Sequence, residues 1–120
     1  MKKINVMVHS SELNPECTVV DVEGFLDAYT VAELEETFNI LIKDKKFKLI
    51  INLAKLDYIS SAGLGTFMGV IDEIRDNNGD IILTNLSPKI YKVFDLLGFS
   101  ELFQIVDTEN AAVAKFAAAG

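Results

Sequence analysis

Strand-forming runs that alternate with amphipathic helical stripes predict an α/β fold: a mostly parallel mixed sheet with an N-terminal hairpin and about four helices. Two segments carry that prediction. Phe47-Lys48-Leu49-Ile50-Ile51-Asn52-Leu53 is a short, nearly continuous apolar run, the pattern of a strand covered on both faces. After it, Leu64, Phe67, Met68, Ile71 and Ile74 fall at i, i+3, i+4, i+7 and i+10, a single stripe at helical period. With 120 residues and 50% hydrophobic content the sequence reads as one domain, residues 1–120, able to bury a real core.

Along the chain, Lys3 to Val8 alternates Ile4, Val6 and Val8 with polar partners, and Cys17 to Glu23 does the same with Val20 and Val22. Turn residues from Ser10 to Pro15 separate them, so the two form a hairpin, and Gly24 is expected to end its second strand. Thr30-Val31-Ala32-Glu33 has the form of a capping box, continued as a helix by Val31, Leu34, Phe38 and Leu41. The strand at 47–53 and the helix from about 62 follow. Asn78-Gly79 provides the C-terminal turn of that helix. Ile81 to Leu83 form the next strand, Ser87-Pro88 is an N-cap with proline in the first turn, and Ile90, Val93, Phe94 and Leu97 carry a third helix that stops at Gly98. Phe103 to Val106 is a short final strand, after which Asp107 is expected to cap an alanine-rich helix. Residues 117–120 read as a frayed end or a cloning remnant.

Composition narrows the function. The chain has 18 acidic and 11 basic residues, a net charge of −7, which argues against nucleic acid as a partner. The lysines at 43, 45, 46 and 48 form a basic group at a helix end, where they suit the dipole. No apolar run approaches the roughly 20 residues of a membrane span, and Met1 to Asn5 lacks a signal-peptide core, so the expected location is the cytoplasm, without membrane insertion. One cysteine, Cys17, and one histidine, His9, support neither a disulfide, a metal cluster nor a Ser-His-Asp triad. Asp27 and Asp57 could do acid/base work, but turn and capping roles suit both better. Gly63-Leu64-Gly65 with Gly69 lacks the Lys-Ser/Thr of a phosphate loop. No enzyme activity and no cofactor are expected.

The most informative run is Asp57-Tyr58-Ile59-Ser60-Ser61-Ala62-Gly63-Leu64-Gly65, which sets two hydroxyls between a buried strand and an amphipathic helix. Either serine can cap the helix, where the first N–H groups lack backbone partners and the dipole is positive. Neither has Glu or Gln three residues on, so this is no capping box. Glycines at 63, 65 and 69 each cost about 1 kcal/mol relative to Ala in a helix, and bare backbone beside a hydroxyl lets another molecule approach. Capping and modification both remain open on spacing alone.

Four segments resemble the STAS domain family, specifically bacterial anti-sigma factor antagonists: Gly24-Phe25-Leu26-Asp27, Ile50-Ile51-Asn52-Leu53, Tyr58 through Gly65, and Leu96-Leu97-Gly98-Phe99. The resemblance implies an anti-sigma factor antagonist that works by partner switching. Unphosphorylated, such a domain binds an anti-sigma factor that is also a serine kinase and frees the sigma factor; phosphorylation ends the complex, and a metal-dependent PP2C-type phosphatase restores it. By the same resemblance the phosphoacceptor is Ser61, with Ser60 a second candidate because it stands where the family often has Asp. Asp27 matches the loop aspartate beside the acceptor. The implied contact surface is Asp27, Tyr58, Ser60, Ser61, Gly63 and Gly65. Within the same fold, the alternative is a structural subunit of a membrane transporter or lipid-transfer complex.

Overall fold

Six strands and four α-helices build the chain in a computed structural model that describes residues 3–119. In order they are β1 (Ile4–Ser10), β2 (Thr18–Leu26), α1 (Val31–Lys43), β3 (Lys48–Asn52), β4 (Leu56–Ile59), α2 (Ser61–Asp76), β5 (Asp80–Thr84), α3 (Pro88–Leu96), β6 (Gln104–Val106) and α4 (Glu109–Ala119), with a short 3-10 turn at Phe99–Glu101. The sheet runs β1-β2-β3-β5-β6, with β1 antiparallel to β2 and the other pairings parallel. The predicted hairpin and parallel sheet are both present.

The two faces follow from residue alternation. Val20, Val22, Leu49, Ile51, Ile81 and Leu83 face a layer of α1, α2 and α3, whereas Val19, Ile50 and Ile82 face α4 and pack with Cys17, Ala112 and Phe116. The central strands are therefore apolar on both sides, as their sequence required. At the middle of the larger layer Phe67 meets Phe38 and Phe103 edge to face, with ring centroids at 5.8 and 6.1 Å, and Phe94 at 6.5 Å. Burial pushes the Cys17 thiol up, away from the reactive thiolate.

Several local expectations are corrected. Gly24 does not end β2, which continues to Leu26; it sits at φ +92° where the register against β4 shifts, and any Cβ there would strike the Lys3 carbonyl. β4 was not anticipated at all. Thr30 makes no cap: its hydroxyl donates to the Phe25 carbonyl at 2.8 Å and accepts from the Asp27 N–H at 3.0 Å, so the Thr-x-x-Glu pattern serves the preceding loop. Thr108, not Asp107, caps α4 by accepting from the Ala111 N–H at 3.1 Å. Met68 and Leu97 are exposed at 40% and 54%, and Thr66 takes a buried place in α2. Phe103 precedes β6 and sits in the core. The tail is helical through Ala119, while Gly120 and the first two residues lie outside the described chain.

Other terminators behave as expected. Ser87 accepts from the Ile90 N–H at 3.2 Å with Pro88 next to it, and Gly98 is left-handed at φ +78°. At the end of α2, Asn78 is left-handed and the Gly79 N–H reaches the Ile74 carbonyl at 3.0 Å, while the Asn78 N–H reaches that of Arg75 at 3.1 Å, a Schellman closure. Gly79 is required for a different reason: a Cβ would run into the Phe47 backbone.

On the α4 side, His9 Nε2 lies 2.9 Å from Asp21 Oδ2, and Asn52 Nδ2 donates to Asp21 Oδ1 at 2.8 Å. Partial burial works against charge on the His9 ring, but the Ser10 carbonyl, Asp21 and Glu109 outweigh it and raise its pKa above the ordinary value. A raised folded value means that the contribution is complete below about pH 6.5, the unfolded value. It is lost as pH rises through the higher folded value. The urea midpoint of the wild type should therefore fall relative to that of His9→Gln between about pH 5.5 and about pH 8.5. Equal pH profiles for the two proteins would contradict this.

Candidate functional site

β2 and β4 run parallel with Phe25 opposite Tyr58 and Leu26 opposite Ile59, so the loops that leave them emerge side by side at the carboxyl end of the sheet. The Ser60 N–H clamps that junction by donating to the Leu26 carbonyl at 3.0 Å. Asp27 leaves β2 and Ser61 leaves β4 on either side of this bond. The loop that begins at Asp27 and the helix that begins at Ser61 thus start from neighbouring, hydrogen-bonded residues.

The two serines divide the work. Ser60 is the N-cap of α2, extended at φ −100° and ψ 174°, and its hydroxyl accepts from the Gly63 N–H at 3.4 Å. Ser61 is the first helical residue, exposed, and its hydroxyl has no hydrogen-bond partner among the described residues. The first turn of α2 holds no acidic residue, so nothing there neutralises the positive end of the dipole. An anion carried on the Ser61 hydroxyl would meet that potential and the unpartnered N–H groups of the first turn.

Around this point the loop after β2 is held in a fixed turn. The Asp27 carboxylate accepts from the Tyr29 N–H at 2.9 Å, and the Thr30 hydroxyl holds the Asp27 N–H. Tyr29 stands 95% exposed and Tyr58 44% exposed, the latter beside Phe25 at a centroid distance of 5.8 Å. On the flank, the Lys89 ammonium of α3 donates to the Asp57 carbonyl at 2.8 Å. The depression that Asp57 lines runs along Lys3, Asn5, Glu23 and Lys55 and does not include Asp27. The two carboxylates thus do not share it.

The three helix glycines separate into two kinds. Gly65 and Gly69 are exposed, a Cβ on either would touch nothing, and they line a shallow groove with Glu35, Asn39, Thr66 and Val70 between α1 and α2. Gly63, expected beside the serines as part of the contact surface, is instead buried: a Cβ would stand 2.8 Å from both Leu26 Cγ and the Leu26 carbonyl oxygen, and 2.9 Å from Ile59 Cγ1. It seats α2 against the ends of β2 and β4. Gly63→Ala should therefore destabilise the fold by about 1–3 kcal/mol, overpacking outweighing the gain in helix propensity. Gly65→Ala should be neutral or stabilising, by up to about 1 kcal/mol. Urea midpoints in the reverse order would refute this assignment.

Sequence reasoning missed Tyr29 and the Lys89 contact. Tyr29 carries no periodic signal, and Lys89 reaches the site only because α3 packs on β4. Among the described residues no group of three or more His, Cys, Asp and Glu side chains could hold a metal ion, and no helix is long and apolar enough to cross a membrane.

Comparison with known proteins identifies the family and the fold. The STAS domain profile matches residues 10–112. The anti-sigma-B factor antagonist of Staphylococcus epidermidis is 34% identical over 86 residues, covering 72% of this chain and 80% of that protein. The crystal structure of an anti-sigma factor antagonist from Mycobacterium paratuberculosis superposes with a TM-score of 0.84 over 95% of this chain and 94% of the other at 21% identity, a likeness of fold. The Bacillus cell fate determinant SpoIIAA in its phosphorylated form gives a TM-score of 0.67 at 25% identity, covering 92% of this chain and 98% of that one. With the profile spanning most of its length, the chain belongs to the STAS domain family.

Proposed function

We propose that this chain is an anti-sigma factor antagonist acting in the cytoplasm by partner switching, with Ser61 as its phosphoacceptor. The observation that carries the reading is the division of the serines: the Ser60 hydroxyl accepts the helix-cap bond, while Ser61 offers an unbonded, exposed hydroxyl at the helix N-terminus. The name of the Staphylococcus relative and the phosphorylated form of the Bacillus neighbour support it.

In the unphosphorylated state an anti-sigma factor with serine kinase activity docks over Asp27, Tyr58, Ser61 and Gly65 and releases its sigma factor. Ser61 Oγ then attacks the γ-phosphorus of ATP, ADP leaves, and the hydroxyl proton passes to a base. The new ester carries about −1.5 to −2 charge. The helix terminus tolerates that charge within its own fold. A docked partner does not, because the dianion must be desolvated and lies against Asp27. A PP2C-type phosphatase delivers water to phosphorus and returns the serine and inorganic phosphate.

The test is phosphate transfer from the cognate kinase and ATP, read by intact mass. Wild type and Ser60→Ala should each gain one phosphate and Ser61→Ala none. Phosphate on Ser61→Ala would reject the site.

A further inference from the structure

β1 leaves one edge of the sheet open. Apart from β6, which is three residues long, it is the only strand of the main order with a single neighbour. Its seven residues pair with β2 in unbroken register from Ile4 opposite Gly24 to Ser10 opposite Thr18. Such a strand presents a regular outer row of N–H and C=O groups. Aside from the His9 ring beside the Ser10 carbonyl at 3.2 Å, no described group outside β2 hydrogen-bonds to the β1 backbone.

The devices that normally blunt an edge are missing. Ile4–Ser10 contains no proline, lysine, arginine, aspartate or glutamate and no bulge. Met7 and Val8 are exposed at 42% and 46%. In a chain of net charge −7, this is a stretch without carboxylates, His9 its one ionisable group, along which two copies can meet without opposing acidic side chains. Turned end for end, the strand complements itself. Centred on Met7, the pairing sets Val6 against Val8 of the second copy and Asn5 against His9, and directs Lys3 toward the end where Glu12 follows.

We propose that β1 is a homodimer interface, two copies joining β1 to β1 antiparallel about a two-fold axis at Met7 to make one continuous sheet. The two-fold closes the assembly at two, whereas β1 against β6 of another copy would be open-ended. β4 adds to β2 on the side away from β1, so the dimer leaves both Ser61 hydroxyls exposed. One strand pair is a small interface, of the kind that gives weak association.

Sedimentation velocity of the intact chain over a wide concentration range tests this. Wild type should pass from monomer to dimer. Met7→Lys places like charges face to face across the axis and should raise the dissociation constant at least about tenfold. Mixing Met7→Lys with Met7→Asp should restore association. Amide exchange of the wild type should also slow along β1 as concentration rises, a readout that needs no variant. A wild type that stays monomeric, a dimer indifferent to Met7→Lys, growth beyond two copies, or β1 exchange independent of concentration would overturn the proposal.

Discussion

Ser61→Glu is expected to weaken binding of the anti-sigma factor by about a hundredfold while leaving the fold as stable as the wild type or slightly more so. The two halves of that expectation have one cause. Position 61 opens α2, whose first turn carries no acidic residue, so a carboxylate there gains from the dipole, by about 0.3–1 kcal/mol. The same charge faces outward from an exposed position, where a docking partner would have to strip its water. A thermal melt and a titration with the partner, run on the same preparation, separate the effects. Loss of binding together with loss of stability would mean that the residue acts through the fold, and unchanged binding would end the switching reading.

The second large effect is structural. Phe67→Ala should cost about 3–5 kcal/mol, a sizeable part of the roughly 5–15 kcal/mol that holds a domain of this size. Phe67 is fully buried and touches the rings of Phe38 on α1, Phe94 on α3 and Phe103 ahead of β6. Its removal leaves a void bordered by three separate elements, which cannot all close on it at once. Urea denaturation checks the figure, and a loss below about 1.5 kcal/mol would show that the layer collapses onto the gap.

Periodicity made most of this fold legible. The run Phe47 to Leu53 and the Leu64, Phe67, Ile71, Ile74 stripe each encode burial in their spacing, and both are where that spacing puts them. β4 escaped because four residues with apolar ends only, Leu56 and Ile59, show neither alternation nor a continuous apolar run; its strand character comes from pairing with the end of β2. Thr30 and Glu33 satisfy the letter of a capping box, yet the Phe25 carbonyl competes successfully for the hydroxyl. Gly63 illustrates the general obstacle at the site. A missing side chain looks the same in sequence whether solvent or another strand occupies the space, and it is Leu26, distant along the chain, together with Ile59 that fills it here. Which serine caps and which stands free was likewise undecidable until the geometry of one bond, Gly63 N–H to Ser60 Oγ, was in place.

The open backbone at Gly65 and Gly69 bears on speed as well as on access. Glycine positions have no rotamers to immobilise when they are covered, although Glu35 and Asn39 stand beside them. A partner docking there, as proposed, would lose less disorder at these two positions, and its grip would rest more on shape and on the few polar atoms near the helix start. A grip built that way has few contacts to unlock one after another. Once a dianion appears at its rim, escape should be fast, and the lifetime of the complex, more than its rate of formation, should carry the regulatory signal.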